Sequence, residues 1–184
     1  MRRRNERKPD APVVVSQALE RIVDQMVAQG DAKAYLCSLR LPRQFSEDMV
    51  QANDIFKKTQ SDFCKSIMRG TGSTPRYIAV RTDNETNPEY AFCLFTRPNA
   101  MLDPTAYAEK GCEIANGKSG HAGWGRGRLD VVELFKDAPR FKIAQPLHID
   151  KENADEILPR LQEHLNGKKT ATAHQRTLFV SKCQ

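Results

Sequence analysis

The residues of this sequence that could do chemistry fall into a few small groups. Three carboxylates, Asp83, Glu85 and Glu89, lie close together. Glu89 heads a strand pattern, so its oxygens could hold a divalent metal, but turn solvation is the better account of all three. Four histidines, His121, His148, His164 and His174, are candidates for acid–base work, but none has a recognisable partner spacing. Each alone reads as a surface or satisfied imidazole. The five cysteines, Cys37, Cys64, Cys93, Cys112 and Cys183, are odd in number and never in CxxC spacing. They read as reduced, small apolar residues, which argues against a disulfide framework or a zinc site. Gly111 and Gly117-Lys118-Ser119 resemble a phosphate loop only superficially. Five residues separate the glycines where a Walker A loop needs four, and a helix rather than a strand precedes them. A looser reading has Lys118, Arg126 and Arg128 on a nucleic-acid backbone and Trp124 stacked on a base. A surface loop with Trp124 folded onto the core explains the same residues.

Charge distribution points to a polyanion. The 184 residues carry a net charge of +6, unevenly placed. Arg2, Arg3, Arg4, Arg7 and Lys8 stand against a single acid, Glu6, at the start, and Lys168, Lys169, Arg176 and Lys182 have no acid among them. With Lys118, Arg126 and Arg128, three separated segments share one sign, the expected footprint of phosphate binding. No apolar run approaches the length of a membrane span, and no signal-type segment follows the basic start. These features imply a cytoplasmic protein without a membrane partner. No cofactor or metal is implied by spacing.

The elements that must position these residues centre on Arg76–Arg97. Strands are expected over Tyr77–Arg81 and Tyr90–Phe95, joined by a turn region, Thr82–Pro88, rich in Asp, Asn and Pro. Alternation puts Tyr90, Phe92 and Leu94 on one face and Glu89, Ala91, Cys93 and Phe95 on the other. The second strand is apolar on both faces, so a central, covered position is expected. Before the hairpin, the spacing predicts a helix over Val13–Gln29, a strand over Ala34–Leu41, and a helix from an N-cap at Ser46 to Arg69. After it come a short helix from Asp103 to about Ala115, a flexible loop over Asn116–Arg128, and strands at Leu129–Phe135 and Phe141–Ala144. A helix from Asp150 to about Leu165, kinked or split by Pro159, and a strand over Thr177–Ser181 complete the chain. Residues 1–11 read as a disordered basic tail and 12–184 as a single domain. The fold class is α+β: a ferredoxin-like antiparallel sheet with helices packed mainly on one face.

The same elements resemble the YagK/YfjJ-like family, which includes replication initiators related to those of filamentous phages. The similarity spans roughly Ala32 to Lys182. It comprises the strand ending Arg40-Leu41-Pro42, the long helix, Pro75–Arg81, Tyr90–Phe95, the Asn99-Ala100 turn, the helix from Tyr107 to Gly111, and Arg176–Ser181. The resemblance implies a replication-initiator-like fold and HUH-endonuclease chemistry. In that chemistry two histidines flanking an apolar residue hold a metal, and a tyrosine on a later helix attacks the phosphate. Here the decisive positions differ. Glu89-Tyr90-Ala91 stands where the family shows His-x-His, and His164-Leu165-Asn166-Gly167-Lys168 stands where it shows Tyr-Leu-x-Lys. All four tyrosines lie upstream of that helix.

These departures imply a degenerate member, with Glu89, Ala91 and His164 at the altered positions, that binds single-stranded or hairpin DNA without nicking it. It would thereby regulate replication or transcription of a mobile element. The expected contact surface is the sheet face bearing Arg81, Glu89, Ala91 and Cys93, flanked by Arg2, Arg3, Arg4, Lys118, Trp124, Arg126, Arg128, Lys168 and Lys169. Two alternatives stand beside it. One is an accessory or anti-defence protein that inhibits a host nucleic-acid-handling complex by protein contact. The other is an active nickase with Glu89 and a histidine as ligands.

Overall fold

A computed structural model describes residues 11–82, 87–100, 103–123, 139–166 and 178–181. Four helices, α1 (Ala11–Ala28), α2 (Met49–Thr71), α3 (Pro104–Gly123) and α4 (Ala154–Asn166), flank one antiparallel sheet among these residues. Its strands are β1 (Ala32–Arg40), β2 (Arg76–Arg81), β3 (Glu89–Thr96), β4 (Arg140–Ile143), β5 (Leu147–Ile149) and β6 (Leu178–Val180). The sheet order is β4-β1-β3-β2-β6, with β5 also on β1. The protein is therefore α+β, and β1-α2-β2-β3-α3-β4 form the ferredoxin-like arrangement expected of the sequence.

Central strand β3 explains the architecture. Every residue from Tyr90 to Thr96 is buried, and alternate side chains serve two separate cores. Tyr90, Phe92 and Leu94 join Phe56, Phe63 and Phe141 under α2 and α3. Cys93 and Phe95 join Leu19, Ile22, Val23, Leu161 and Leu165 under α1 and α4. Helices thus cover both faces, rather than mainly one. The α2/α3 pair keeps to one face as in a ferredoxin-like core; α1 and α4 add a layer on the other.

Caps and glycines set the element boundaries. Asp48, not Ser46, caps α2, its carboxylate accepting from the Gln51 amide at 2.9 Å. Ser46 instead ends a single 3-10 turn over Arg43–Phe45. Helix α2 continues past Gly70 to a left-handed cap at Gly72 (φ 70°), a conformation that costs glycine nothing. At α1, the Arg97 guanidinium donates to the Met26 carbonyl at 3.1 Å, placing a cation at the negative end of the helix. Helix α4 opens with a reciprocal pair: Asp150 accepts from the Asn153 amide at 2.9 Å, and the Asn153 side chain accepts from the Asp150 amide at 3.0 Å. Pro159 lies inside α4 without splitting it. Helix α3 runs through Gly117 to Gly123, so the first half of the expected glycine-rich loop is helical. The strand expected at Leu129–Phe135 and the basic tail lie outside the described residues.

Candidate nucleic-acid interface

Glu89 and Ala91 lie at one end of the sheet. Antiparallel partners share a face, so register alone assembles the site. Arg40 of β1 pairs with Glu89 of β3 on one side and with Arg140 of β4 on the other. Two residues along, Ser38 pairs with Ala91 and with Lys142. These six residues share the α1/α4 face, because Cys93, two positions beyond Ala91, lies in that core. Arg140 and Lys142 are exposed, while Ser38, Arg40 and Glu89 are half-buried.

Helix α4 stops short of this row. The Cys93 thiol lies 3.9 Å from the Leu161 carbonyl, and burial pushes its pKa up. One turn later, His164 Nε2 sits 2.8 Å from the Cys37 carbonyl. A carbonyl only accepts, so Nε2 carries the proton and donates. Helix α4 ends two residues further on, at Asn166. Arg40 lies three residues beyond Cys37 along β1, about 10 Å away at the rise of a strand. Glu89 is level with Arg40, so its backbone lies at a similar remove along the sheet from Cys37, the residue that anchors His164. His148, paired with Lys33 at the far end of β1, is farther still. Among the described residues, no group of three or more His, Cys, Asp or Glu side chains is placed to hold a metal.

All four tyrosines pack on the other face. Tyr35 and Tyr90 belong to the α2/α3 core, and Tyr77 and Tyr107 pack against it. The sheet therefore stands between Glu89 and every phenol of the chain. Burial raises the pKa of Tyr35 and of Tyr77, so neither is activated toward phenolate.

Two expected contact residues sit elsewhere. Arg81 pairs with Tyr90, not with the Glu89 face, and is only 2% exposed. Its Nη1 lies 3.4 Å from the Met49 carbonyl and 3.5 Å from Asn53 Oδ1, with the guanidinium 5.8 Å from the Tyr90 ring centre. It braces α2 on the sheet and is not presented to a phosphate. Lys118 is in α3, bound to Asp62 of α2 at 2.7 Å. That hydrogen bond holds the Asp62 carboxyl below its usual range. The two residues, with Glu113, Ile114 and Gly117, line an open groove of about 210 Å³. Lys118 is committed to Asp62, which also takes Lys65, and Glu113 pairs with Lys110, so these ammonium groups already have carboxylate partners. Arg2, Arg3, Arg4, Trp124, Arg126, Arg128, Lys168 and Lys169 lie outside the residues whose side chains are described.

The turn carboxylates also lose part of their company. Asp83 and Glu85 are outside the described residues, but Asn87 and Pro88 are buried. The Asn87 amide donates to the Leu41 carbonyl at 2.9 Å, and the Leu41 amide donates to the Pro88 carbonyl at 2.8 Å. These bonds pin the start of β3 to the end of β1, which fixes Glu89 beside Arg40. Sequence reasoning misses Arg40, Arg140, Lys142 and Ser38 as site residues. Their one local signal is the alternation in Arg140-Phe141-Lys142-Ile143, which puts two cations on one face.

No family model, curated protein or solved structure matches this chain. Among the described residues, no helix is long and apolar enough to cross a membrane.

Proposed function

We propose that the protein is a cytoplasmic nucleic-acid-binding protein on a degenerate replication-initiator-like scaffold. It holds DNA without cutting it and regulates replication or transcription of the mobile element that carries it. One observation carries this reading. Glu89 and Ala91, two of the positions altered relative to the resembled family, share one sheet face with Arg40, Arg140 and Lys142, while every tyrosine lies across the sheet. Tyrosine-dependent strand cleavage needs a nucleophile at the phosphorus and a cation on the phosphoryl oxygens. This face offers cations but no phenol. The ferredoxin-like strand order, with Glu89-Tyr90-Ala91 opening the central strand, supports the same scaffold.

Two assays test it. Incubation with supercoiled plasmid and Mn²⁺ should leave the plasmid supercoiled; relaxed circles that disappear in Glu89→Ala would establish a nickase instead. Titration of labelled single-stranded and hairpin DNA across a salt series should give binding that weakens steeply with salt. Absence of binding at low salt would transfer the function to a protein partner.

A further inference from the structure

We infer that the β4–β1 rim grips the phosphate backbone of single-stranded nucleic acid with arginine and lysine alone, independently of any divalent cation. The inference rests on the nucleic-acid reading and adds where, and by what chemistry, the contact is made.

Strand register places the charges. Arg140 and Lys142 are two apart on β4, so their side chains leave the same face about 6.8 Å from one another along the strand. Both are exposed, and β4 is an edge strand whose inner neighbour is β1. The cross-strand partner of Arg140 is another arginine, Arg40, and that of Lys142 is the uncharged Ser38. Arg40 is half-buried and has an interaction of its own, so Arg140 and Lys142 are the exposed cations of the row. Glu89 stands on the far side of Arg40, one strand further from the edge. Its carboxylate can offset Arg40 but is two strands away from Arg140. Among the described residues, the β4 rim thus keeps a surplus of positive charge.

The same geometry disfavours a metal. A divalent ion at Glu89 would need further ligands, yet the nearest cross-strand neighbour is a guanidinium and the His164 Nε2 proton is committed to the Cys37 carbonyl. Guanidinium and ammonium groups supply here the positive charge that an ion would otherwise provide, and arginine suits the forked geometry of a phosphate. A row that follows one edge strand fits a single extended backbone, whose successive phosphates can meet Lys142 and Arg140 in turn.

The test uses the full chain and a fluorescent oligothymidylate, read by anisotropy in EDTA and again in Mg²⁺. Wild-type protein should bind equally in both, and more tightly than it binds a duplex of equal length. Arg140→Gln/Lys142→Gln should weaken binding about tenfold or more at low salt. It should also make the log–log salt slope shallower by about 1.4, two phosphate contacts at about 0.7 each for a single strand. Lys142→Gln alone should shift the slope by about half as much, which serves if the double variant folds poorly. Lys58→Gln/Arg69→Gln, on the exposed side of α2 across the sheet, should bind like wild type. Binding that requires Mg²⁺, equal affinity for duplex, or an unchanged slope in the rim variants would overturn the inference while leaving nucleic-acid binding intact. Failure of the wild type to bind at low salt would remove the parent reading, and this one with it.

Discussion

The two faces of β3 do different work although they alternate residue by residue. On the α2/α3 side the strand presents Tyr90, Phe92 and Leu94 to an aromatic cluster. Phe56 stacks on Tyr90 with ring centres 4.2 Å apart and planes 9° from parallel, and contacts Phe179 at 5.0 Å. Phe92 meets Phe141 edge-on at 5.5 Å. On the α1/α4 side the core is aliphatic apart from Phe95, built on Leu19, Ile22, Ile78, Val80 and Leu161, and it gives way at one end to Glu89, Arg40 and Arg140. The aromatic face is closed along its whole length. Among the described residues, the aliphatic face is covered only as far as α4 reaches. Aromatic packing is concentrated on the first face, and the polar chemistry is left to the rim of the second.

That contrast is broken most severely at Phe56. Truncation to alanine removes the partner of Tyr90, Phe92 and Phe179 together, and a buried Phe→Ala change costs about 3–5 kcal/mol. Urea unfolding of Phe56→Ala should show a loss in that range, with Leu161→Ala on the other face losing about 2–5 kcal/mol. Exposed Lys142→Ala should change stability by less than about 0.5 kcal/mol. A loss at Lys142 comparable to that at Phe56 would mean that the rim is structural.

Much of the framework was legible in the sequence because long amphipathic stripes and a both-face-apolar strand carry their own period. The stripes of α1 and α2, the hairpin and the ferredoxin-like order all came from such patterns. The face of Arg81 was not legible. A slip of one residue in register moves a side chain through the sheet, and only the observed pairing of Arg81 with Tyr90 fixes it. The same limit hid the row of Arg40, Glu89 and Arg140, whose members lie on three strands far apart in the chain. Strand β5, with three residues, is too short to show alternation. The continuation of α3 past Ala115 and through Gly117 is a tertiary effect, in which contacts such as Lys118 with Asp62 outweigh the glycine penalty. Pro159 forfeits a helical hydrogen bond, yet Leu161 and Leu165, buried beyond it, hold α4 on the sheet.

Gly111 gives a finer test of the closed face. A Cβ there would sit 2.5 Å from Phe141 Cγ and 2.6–2.7 Å from the two neighbouring ring carbons. The ring is packed between α3 and the core and has little room to move, so Gly111→Ala should cost about 1–3 kcal/mol through overpacking. At Gly117, six residues on in the same helix, a Cβ would meet nothing within 4 Å. Gly117→Ala should instead stabilise by about 0.5–1 kcal/mol, the ordinary helix preference for alanine. Paired urea titrations check both signs. Because Phe141 shares β4 with Arg140 and Lys142, Gly111→Ala should also weaken oligonucleotide binding, which Gly117→Ala should not.

The mildest effect compares the two cores by their thiols. Burial pushes the Cys64 pKa up to about 12, and burial likewise raises those of Cys37 and Cys93. Cys37 and Cys64 belong to the aromatic side and Cys93 to the aliphatic side. Each thiol binds its proton more tightly folded than unfolded, so the stability it contributes is complete below the unfolded value, near 9. It is lost as pH rises from there toward the folded value. Between those limits each thiol lowers the unfolding free energy by about 1.4 kcal/mol per pH unit. The urea midpoint should therefore hold steady from pH 7 to 8 and fall above about pH 9. In Cys112→Ser/Cys183→Ser protein at pH 8, the three remaining thiols should resist a disulfide reagent until urea is added. Rapid labelling of one thiol in the native protein would identify the core that opens. Cys93 reacting first would extend the open rim beneath α4, whereas Cys37 or Cys64 reacting first would reverse the assignment of the aromatic face as the closed one.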